Sequence, residues 1–378
     1  MKILFIGGTG RLSKDVATLA LLKGHEVYLF TRGSKERKQF VNTEYHMLNG
    51  DIRDLNFCQK LMLNQPVFDV IIDFLSYNLS QLKNTLDIIA GHFQQFIFIS
   101  SATVYKECYT DERISECDTP IGNDKWTYAY DKYLCEEFIK TYFNFYEKEG
   151  KYTVVRPYVT YGNTRVPYPL VPRDNSKEWT YIDRILNNQS VPVFNQGETV
   201  TTLTHTRDFA KGVVGLFKNT KAYGETFHIT NSETTTWGEV LDVIGKSVEH
   251  PVLKKEFTQE EIFSIMPEYK SVLLGDKGRE MRFNTDKICQ AVPDFKCEIS
   301  LEDGLAEMVN FYQEHQEHQR IDYIWNGCVD RLLLKKKVKN KRQYPFSNAK
   351  DRICYYIGRY SLLVIIYKIL KRIKRYTF

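Results

Sequence analysis

The strongest constraint on the fold is a regular alternation of strand-like and helix-like segments along the first 160 residues. The strand-like runs are short and rich in β-branched and aromatic residues, as in ILFIG, EVYLF, VIIDFL, FIFIS and YTVVRP. Between them lie longer segments of helical character, such as KDVATLALLKG and KYLCEEFIKTYFNFYEKEG. Parallel strands require crossovers of this kind, and the crossover helices cover both faces of the sheet. We therefore predict an α/β fold built on a doubly wound parallel sheet.

Three regions of different character follow one another along the 378 residues. Residues 1–162 carry the alternation and are predicted to form the sheet domain. Residues 163–330 begin with a proline-containing loop, become mostly helical, and are predicted to form a smaller C-terminal lobe. A strand-like segment near 203–232 is expected to return to the sheet domain. Residues 331–378 are predicted to form a basic linker and an amphipathic tail.

Charge and cysteine usage narrow the class of protein. Residues 335–378 hold fourteen Lys and Arg against one acid, a net charge of +13, so the total of +5 leaves −8 for residues 1–334. The eight cysteines include no C-x-x-C pair, so no zinc or other metal site is predicted. The start MKILFIGG does not resemble a signal peptide, and no run of about 18 apolar residues occurs. We expect reduced thiols and a cytoplasmic location.

The loop GGTGRLS joins the first strand to the first helix. A turn at this place directs backbone N–H groups and the positive end of the helix toward an anion. Gly7 and Gly10 have the spacing that lets a pyrophosphate approach the backbone, whereas Ser13 stands where a third glycine usually eases helix packing. We predict a dinucleotide-binding loop in which Ser13→Gly binds the cofactor as well or better. The alternative is a generic turn between a strand and a helix.

Basic residues follow the second strand, at the place where a carboxylate commonly binds the ribose of NAD. Thr31 and Arg32 occupy this strand end, and an Arg beside the adenosine ribose suits a 2′-phosphate. We therefore predict NADP(H) in preference to NAD, with a solvated basic loop as the alternative. In GDIRD, Asp51 follows the third strand and is expected to meet the adenine edge.

Tyr128 and Lys132, in YAYDK, lie four residues apart and therefore on one face of a predicted helix. An ammonium group near a phenol favours the phenolate and lowers the pKa of the phenol toward neutral pH. Such a tyrosine can exchange a proton with a substrate hydroxyl while a nicotinamide accepts or returns the hydride. Ser101, at the end of the strand FIFISS, would hold the same oxygen.

Taken together, these motifs resemble the extended short-chain dehydrogenase/reductase family, the NAD(P)-dependent epimerases and dehydratases of nucleotide sugars. The resemblance covers residues 1 to about 330 through GGTG, GDIRD, DVIIDFLS, FIFISSATVY, YAYDK, VVRPYVTYG and THTRDFAKGV in that order. It implies a Rossmann-type sheet with a C-terminal substrate lobe, and it implies Ser101, Tyr128 and Lys132 as the catalytic set. The implied contacts of the nicotinamide cofactor are Gly7, Gly8, Thr9, Gly10, Arg11, Leu12, Thr31, Arg32, Asp51, Ile52, Phe74, Leu75, Tyr128, Lys132 and Pro157.

Departures from the family pattern narrow the activity. Sugar 4,6-dehydratases carry an Asp-Glu pair directly after the strand-end hydroxyls, where this chain has Ala102 and Thr103, so the resemblance favours a sugar 4-epimerase. Val159 and Thr201 replace an asparagine and an arginine that the family uses near the substrate diphosphate, which leaves open whether the sugar is nucleotide-linked. The alternatives are an NADPH-dependent keto-sugar reductase and a non-catalytic relative that binds nucleotide or nucleic acid.

The end of the chain combines basic and aliphatic residues at helical spacing. From about residue 360, the basic side of the predicted helix carries Lys368, Lys371, Arg372 and Arg375, and the aliphatic side carries Leu362, Ile366, Ile369, Leu370 and Ile373. Together with the charge of residues 335–378, this pattern predicts that residues 335–378 bind an anionic membrane surface through an interfacial helix. Such binding would place the protein on the inner face of the membrane and suit cell-surface polysaccharide synthesis. A contact within a homodimer is the alternative, and no specific nucleic-acid partner is expected.

Overall fold

The computed structural model describes residues 1–33, 44–106, 113–145, 151–338, 344 and 346–360. Its strands are β1 (Lys2–Ile6), β2 (Glu26–Thr31), β3 (His46–Asn49), β4 (Phe68–Asp73), β5 (Phe93–Ile99), β6 (Lys151–Pro157), β7 (Thr160–Tyr161), β8 (Val191–Val193), β9 (Val200–Thr201), β10 (Thr204–His205), β11 (Glu225–Ile229), β12 (Thr235–Thr236) and β13 (Lys254–Glu256).

The α-helices alternate with these strands and then dominate the C-terminal part of the chain. They are α1 (Ser13–Leu22), α2 (Leu55–Met62), α3 (Leu79–Ile89), α4 (Thr127–Phe145), α5 (Trp179–Leu186), α6 (Thr206–Gly215), α7 (Trp237–Ser247), α8 (Gln259–Ile265), α9 (Asp286–Ala291), α10 (Leu301–Glu314), α11 (Tyr323–Lys335) and α12 (Ala349–Arg359). One helical turn at Lys270–Val272 leads into a π-helix at Leu273–Lys277.

Seven strands form one parallel sheet in the order β11-β6-β5-β4-β1-β2-β3. Helices α1 and α6 cover one face through residues such as Val16 and Val213, and helices α2, α3 and α4 cover the other through residues such as Leu86 and Ile139. The predicted Rossmann-type, doubly wound sheet is thereby confirmed. Because strand order reverses between β1 and β4, the loops after these two strands flank a crevice that suits ligand binding.

The described chain forms two compact units. The first contains residues 1–162, 202–234 and 281–300, and the second contains residues 163–201, 235–280 and the chain from 301 onward. Residues 281–300, which were predicted to belong to the C-terminal lobe, lie in the first unit. Ile114 forms a parallel bridge with Phe283, and Arg113 Nη1 donates to the Phe283 carbonyl at 3.0 Å. These are backbone interactions between distant segments, so no local pattern announces them.

The second unit includes part of the segment that was predicted to be a basic linker. The predicted boundary at residue 331 is wrong, because α11 continues through Lys335 and its Leu332 and Leu333 are buried. Helices α11 and α12 cross at Gly327 and Gly358, where a Cβ on either glycine would overlap the backbone of the other helix. Tyr344, inside the predicted linker, is also buried.

The predicted amphipathic tail falls on residues 361–378, which lie outside the described residues, as do 339–343 and 345 of the predicted linker. Within the described ranges, every helix is too short or too polar to cross a bilayer.

Candidate active site

The glycine loop that follows β1 is packed too closely for side chains at its first two positions. Gly7 has a φ of +88°, and a Cβ there would come within 2.6 Å of Leu75 Cγ. A Cβ on Gly8 would overlap the side chain of Leu29. The backbone N–H of Gly7 donates to the carbonyl of Phe30 at 3.1 Å, which ties the loop to the end of β2. Both positions therefore require glycine, and the loop presents bare backbone as a phosphate cradle does.

Ser13 contributes to this loop in a way that glycine cannot. Its buried hydroxyl donates to the Gly7 carbonyl at 2.6 Å and accepts from the Gly10 N–H at 2.9 Å. The side chain thus bridges the two ends of the turn at the start of α1. Glycine at this position would leave both backbone groups without this partner, so the structure argues against the expectation that Ser13→Gly binds the cofactor as well.

We expect Ser13→Ala to weaken dinucleotide binding and to lower the free energy of unfolding. Each lost hydrogen bond of this kind contributes about 0.5 to 1.5 kcal/mol, and an unsatisfied buried carbonyl adds a further cost. Calorimetric titration with NAD and NADP and a urea unfolding curve would measure the two effects. Ser13→Thr retains the hydroxyl and serves as the control. Equal affinity of Ser13→Ala and wild type would show that the bridge does not shape the loop.

A cavity of about 280 Å³ opens beside the glycine loop within the first unit. Its lining includes six of the predicted cofactor contacts and eight residues that were not predicted, three of which belong to α3. The lining residues are Gly7, Phe30, Thr31, Arg32, Gly50, Asp51, Ile52, Arg53, Leu75, Ser76, Tyr77, Gln81, Asn84 and Thr85. Near it, the hydroxyl of Thr9 is buried and has no hydrogen-bond partner among the described residues. The bare glycine backbone, the unpaired hydroxyl and the cavity fit a dinucleotide.

Phe74, Leu12 and Pro157 were also predicted to contact the cofactor, but they are not among the residues that line this cavity. The Phe74 side chain packs against the hydrophobic core, and its ring stacks on that of Phe5 with the ring centroids 6.3 Å apart. Leu75, the next predicted contact, lines the cavity. The Leu12 side chain also packs against that core, between Arg11 and the first turn of α1. Pro157 ends β6, where it is in register with Ile229 of β11.

An ion pair lies at the rim of the cavity: Asp51, which was predicted to contact the cofactor, and Arg53, which was not. Arg53 binds the Asp51 carboxylate through Nε (2.9 and 3.1 Å) and Nη2 (2.5 Å), and these hydrogen bonds hold the pKa of Asp51 well below its usual range. The exposed Arg32 lies at the same rim. The Arg53 side chain is exposed and pairs with Asp51 at the cavity lining. Two guanidinium groups against one carboxylate leave the rim with excess positive charge.

The predicted catalytic lysine is held at the carboxyl ends of β4 and β5. Lys132 is 2% exposed, and its Nζ donates to the carbonyls of Ser76 and Ile99, both at 2.7 Å. Burial lowers the pKa of Lys132 to about 8, and the nearby charge of Asp73 opposes this effect. The ammonium therefore binds the loop that lines the cavity, through Ser76, and the end of β5, through Ile99. Ser101 follows Ile99 by two residues.

Tyr128 precedes this lysine by four residues on α4, and Ser101 follows β5, whose last carbonyl binds the lysine. Tyr128 is half-buried in the first turn of α4, with its ring 6.3 Å from that of Tyr77 and 5.0 Å from that of Trp126. Ser101 is buried and caps a short 3-10 turn, where its Oγ accepts from the N–H and the hydroxyl of Thr103 at 3.3 and 3.0 Å. Tyr77, which lines the cavity, thus connects the cavity to the predicted catalytic tyrosine.

Ser100, Glu136 and Arg156 form a buried polar network next to Ser101 that was not predicted. Ser100 Oγ donates to Glu136 at 2.5 Å, and Arg156 binds the same carboxylate through Nε and Nη2 at 3.0 and 2.6 Å. The Tyr105 ring lies 4.7 Å from the Arg156 guanidinium, and its hydroxyl is 3.0 Å from His228 Nδ1. Burial lowers the pKa of His228 to about 4, so it is neutral at neutral pH. The network fixes the strand end that carries Ser101.

The sequence of this chain is similar to those of known proteins. The chain is 26% identical to chloroplast stem-loop binding protein of 41 kDa b from Arabidopsis thaliana over 258 residues, 65% of this chain but only 63% of that protein. It is 24% identical to a provisionally named UDP-glucose 4-epimerase from Methanocaldococcus jannaschii over 340 residues, 83% of this chain and 99% of the other.

Solved structures of nucleotide-sugar epimerases and dehydratases share the fold. UDP-glucose 4-epimerase from Bifidobacterium longum, in complex with NAD+ and UDP, superposes with a TM-score of 0.68 at 18% identity, covering 84% of this chain and 100% of that one. The model of the NAD-dependent epimerase/dehydratase family matches residues 3–230. This chain therefore belongs to the NAD-dependent epimerase/dehydratase family.

Proposed function

We propose that the protein is a sugar epimerase that uses a nicotinamide cofactor and the residues Ser101, Tyr128 and Lys132. The observation that carries this proposal is the buried Lys132 ammonium, which the carbonyls of Ser76 and Ile99 hold beside a loop that lines the cavity. A lysine has no structural need to be buried there, since desolvating an ammonium group is unfavourable. Its position suits a role in the chemistry.

The chemistry divides between the cofactor and the chain. A bound nicotinamide supplies the hydride acceptor and donor. Tyr128, as phenolate, takes the proton from the substrate hydroxyl when the carbon-bound hydrogen leaves as hydride, and returns that proton to the carbonyl oxygen when hydride comes back to the opposite face. Lys132 stabilises the phenolate by its charge, and Ser101 donates a hydrogen bond to the reacting oxygen.

Dehydration is not part of this proposal. The positions after Ser101 are filled by Ala102, which has no ionisable group, and by Thr103, whose hydroxyl donates to Ser101 Oγ. Both side chains are buried in the 3-10 turn. Neither can act as acid or base at the carbon next to the reacting one, as loss of water would require.

The test is to identify the nucleotide that copurifies with the protein. Mass spectrometry of the denatured, freshly purified protein should find about one NAD(H) or NADP(H) per chain, because an epimerase returns its hydride and need not release the cofactor. A protein that purifies without dinucleotide but oxidises NADPH with a keto-sugar would be a reductase instead. Failure to bind any dinucleotide would contradict both activities.

We further propose that the 2′-phosphate of NADP is recognised at the rim formed by Arg32 and Arg53. Replacing Thr31 by Asp and Arg32 by Asn should shift the affinity ratio toward NAD by about 10- to 100-fold, since a hydrogen bond to a charged group contributes about 1.5 to 3 kcal/mol. Calorimetry with both cofactors measures the ratio. Lys60→Asn, an exposed change on α2 outside the cavity lining, should leave it unaltered. An unaltered ratio in the double variant would reject the assignment.

We also propose that residues 361–378 attach the protein to anionic membrane. This segment holds five Lys and Arg and no acid, and each basic residue near an anionic surface contributes about 1 kcal/mol. A chain that ends at Tyr360 keeps α11 and α12 and should unfold at the wild-type temperature. It should no longer sediment with phosphatidylglycerol vesicles, whereas the full chain should. Vesicle binding by the shortened chain, or none by the full chain, would contradict the proposal.

A further inference from the structure

The turn after β4 is organised by one buried carboxylate that no motif assigns. Asp73 is fully buried, and its Oδ1 accepts from the N–H groups of Leu75 and Ser76 at 2.8 and 3.0 Å. Its Oδ2 is also buried and has no hydrogen-bond partner among the described residues. A buried carboxylate with one idle oxygen is costly to maintain, so a neutral residue would suffice if the turn alone were its purpose.

The same turn contacts the glycine loop, Lys132 and Tyr128 of the candidate active site. Leu75 packs against Gly7, and the carbonyl of Ser76 accepts the hydrogen bond from Lys132 Nζ. The Tyr77 ring lies 5.1 Å from that Nζ and 6.3 Å from the ring of Tyr128. Because Asp73 fixes the N–H groups of this turn, it also fixes where the Ser76 carbonyl meets the lysine.

We propose that Asp73 is a positioning residue for Lys132: its carboxylate shapes the turn that binds the ammonium group and supplies the negative charge that keeps this buried lysine protonated. The proposal rests on the function proposed above, since Lys132 must be charged to stabilise the phenolate of Tyr128.

The other groups around Lys132 cannot supply that charge. Glu136 lies one helical turn away, but it is already paired with Arg156. Burial raises the pKa of the Cys135 thiol to about 12, so it stays neutral. The rings of Tyr77 and Phe98, which lie 5.1 and 4.7 Å from Nζ, are uncharged. Burial raises the pKa of Asp73, and the hydrogen bonds from Ser76 and Leu75 and the charge of Lys132 oppose this effect. Among the described acids whose charge acts on Lys132, Asp73 is therefore the one that is not already paired with another cation.

The test measures the protonation of Lys132 directly. In the full chain labelled with ¹³C at lysine Cε, the Lys132 signal is assigned by its absence in Lys132→Met and followed from pH 6 to 10. Asp73→Asn keeps an oxygen for the Leu75 and Ser76 N–H groups but removes the charge. We expect its titration midpoint to fall by about one pH unit, the lower end of what one opposite charge produces.

Asp54→Asn is the matched control, because it also removes the charge of an aspartate that accepts a hydrogen bond from a backbone N–H. Asp54 is exposed and accepts from the Phe57 N–H at 3.1 Å, at the N-terminus of α2 instead of in the turn that binds Lys132. Its Lys132 midpoint should equal that of wild type. If Asp73→Asn does not fold, Asp73→Ser retains an acceptor for the turn without a charge. An unchanged midpoint in the folded variant would overturn the proposal. A shifted midpoint in a protein whose turnover does not depend on Tyr128 would instead overturn the proposed function.

Discussion

Tyr128→Phe should lower turnover by about 10²- to 10⁴-fold, the usual scale for losing a general acid–base group. The substitution removes only the hydroxyl, and the ring contacts with Tyr77 and Trp126 remain possible. Fold and dinucleotide affinity should therefore stay as in wild type. Turnover is measured by NMR on the interconverted sugar, and affinity by calorimetry.

The control for this substitution is Tyr130→Phe, two residues further along α4. Tyr130 is 41% exposed and its ring contacts Tyr133, so loss of its hydroxyl should leave turnover unchanged. Near-normal turnover in Tyr128→Phe would mean that another group transfers the proton. The family relationship would then describe the fold of this chain but not its mechanism.

Asp330→Ala should lower the free energy of unfolding of the second unit by about 3 to 5 kcal/mol, the usual cost of leaving a buried charge without its partner. Arg184 is fully buried, and its Nη2 donates to Asp330 at 2.8 Å. The same carboxylate accepts from the hydroxyls of Tyr344 and Tyr355 at 3.1 and 2.9 Å. The substitution thus releases three groups, two of which belong to the chain beyond α11. Urea unfolding measures the loss.

Asp242→Ala is the control, because Asp242 pairs with Lys254 at 2.7 Å on the surface of the same unit and is 56% exposed. An exposed ion pair contributes at most about 1 kcal/mol, so this variant should be nearly as stable as wild type. Equal small losses in the two variants would show that the chain around Tyr344 and Tyr355 does not anchor to the second unit through Asp330.

The sheet and the glycine loop could be predicted because their determinants are local. Buried parallel strands require continuous apolar runs, and a cradle for phosphate requires glycines at fixed spacing. The placement of Tyr128 and Lys132 on one helix could be predicted in the same way, since four residues span about one helical turn. In each case, neighbouring residues in sequence specify the feature.

The interactions of Glu136 and Asp330 that were missed join residues far apart in sequence. Arg156 and Glu136 belong to different elements, and the partners of Asp330 come from α5 and from a segment whose charge concealed its packing. In the sequence, Asp73 has the pattern of an ordinary last residue of a strand. Nothing in DVIIDFLS indicates that its carboxylate accepts hydrogen bonds from the backbone N–H groups of Leu75 and Ser76. Burial and partners of polar groups depend on tertiary structure, which local patterns do not encode.

The most direct test of the account is the fate of the carbon-bound hydrogen. Wild-type protein loaded with its dinucleotide is incubated in D₂O with a panel of UDP- and dTDP-sugars, and the products are observed by proton NMR. We expect one sugar to convert to its C4 epimer without deuterium at C4, because the hydride returns to the carbon that released it. Irreversible reduction with consumption of NADPH, or loss of water with deuterium at a neighbouring carbon, would contradict the account.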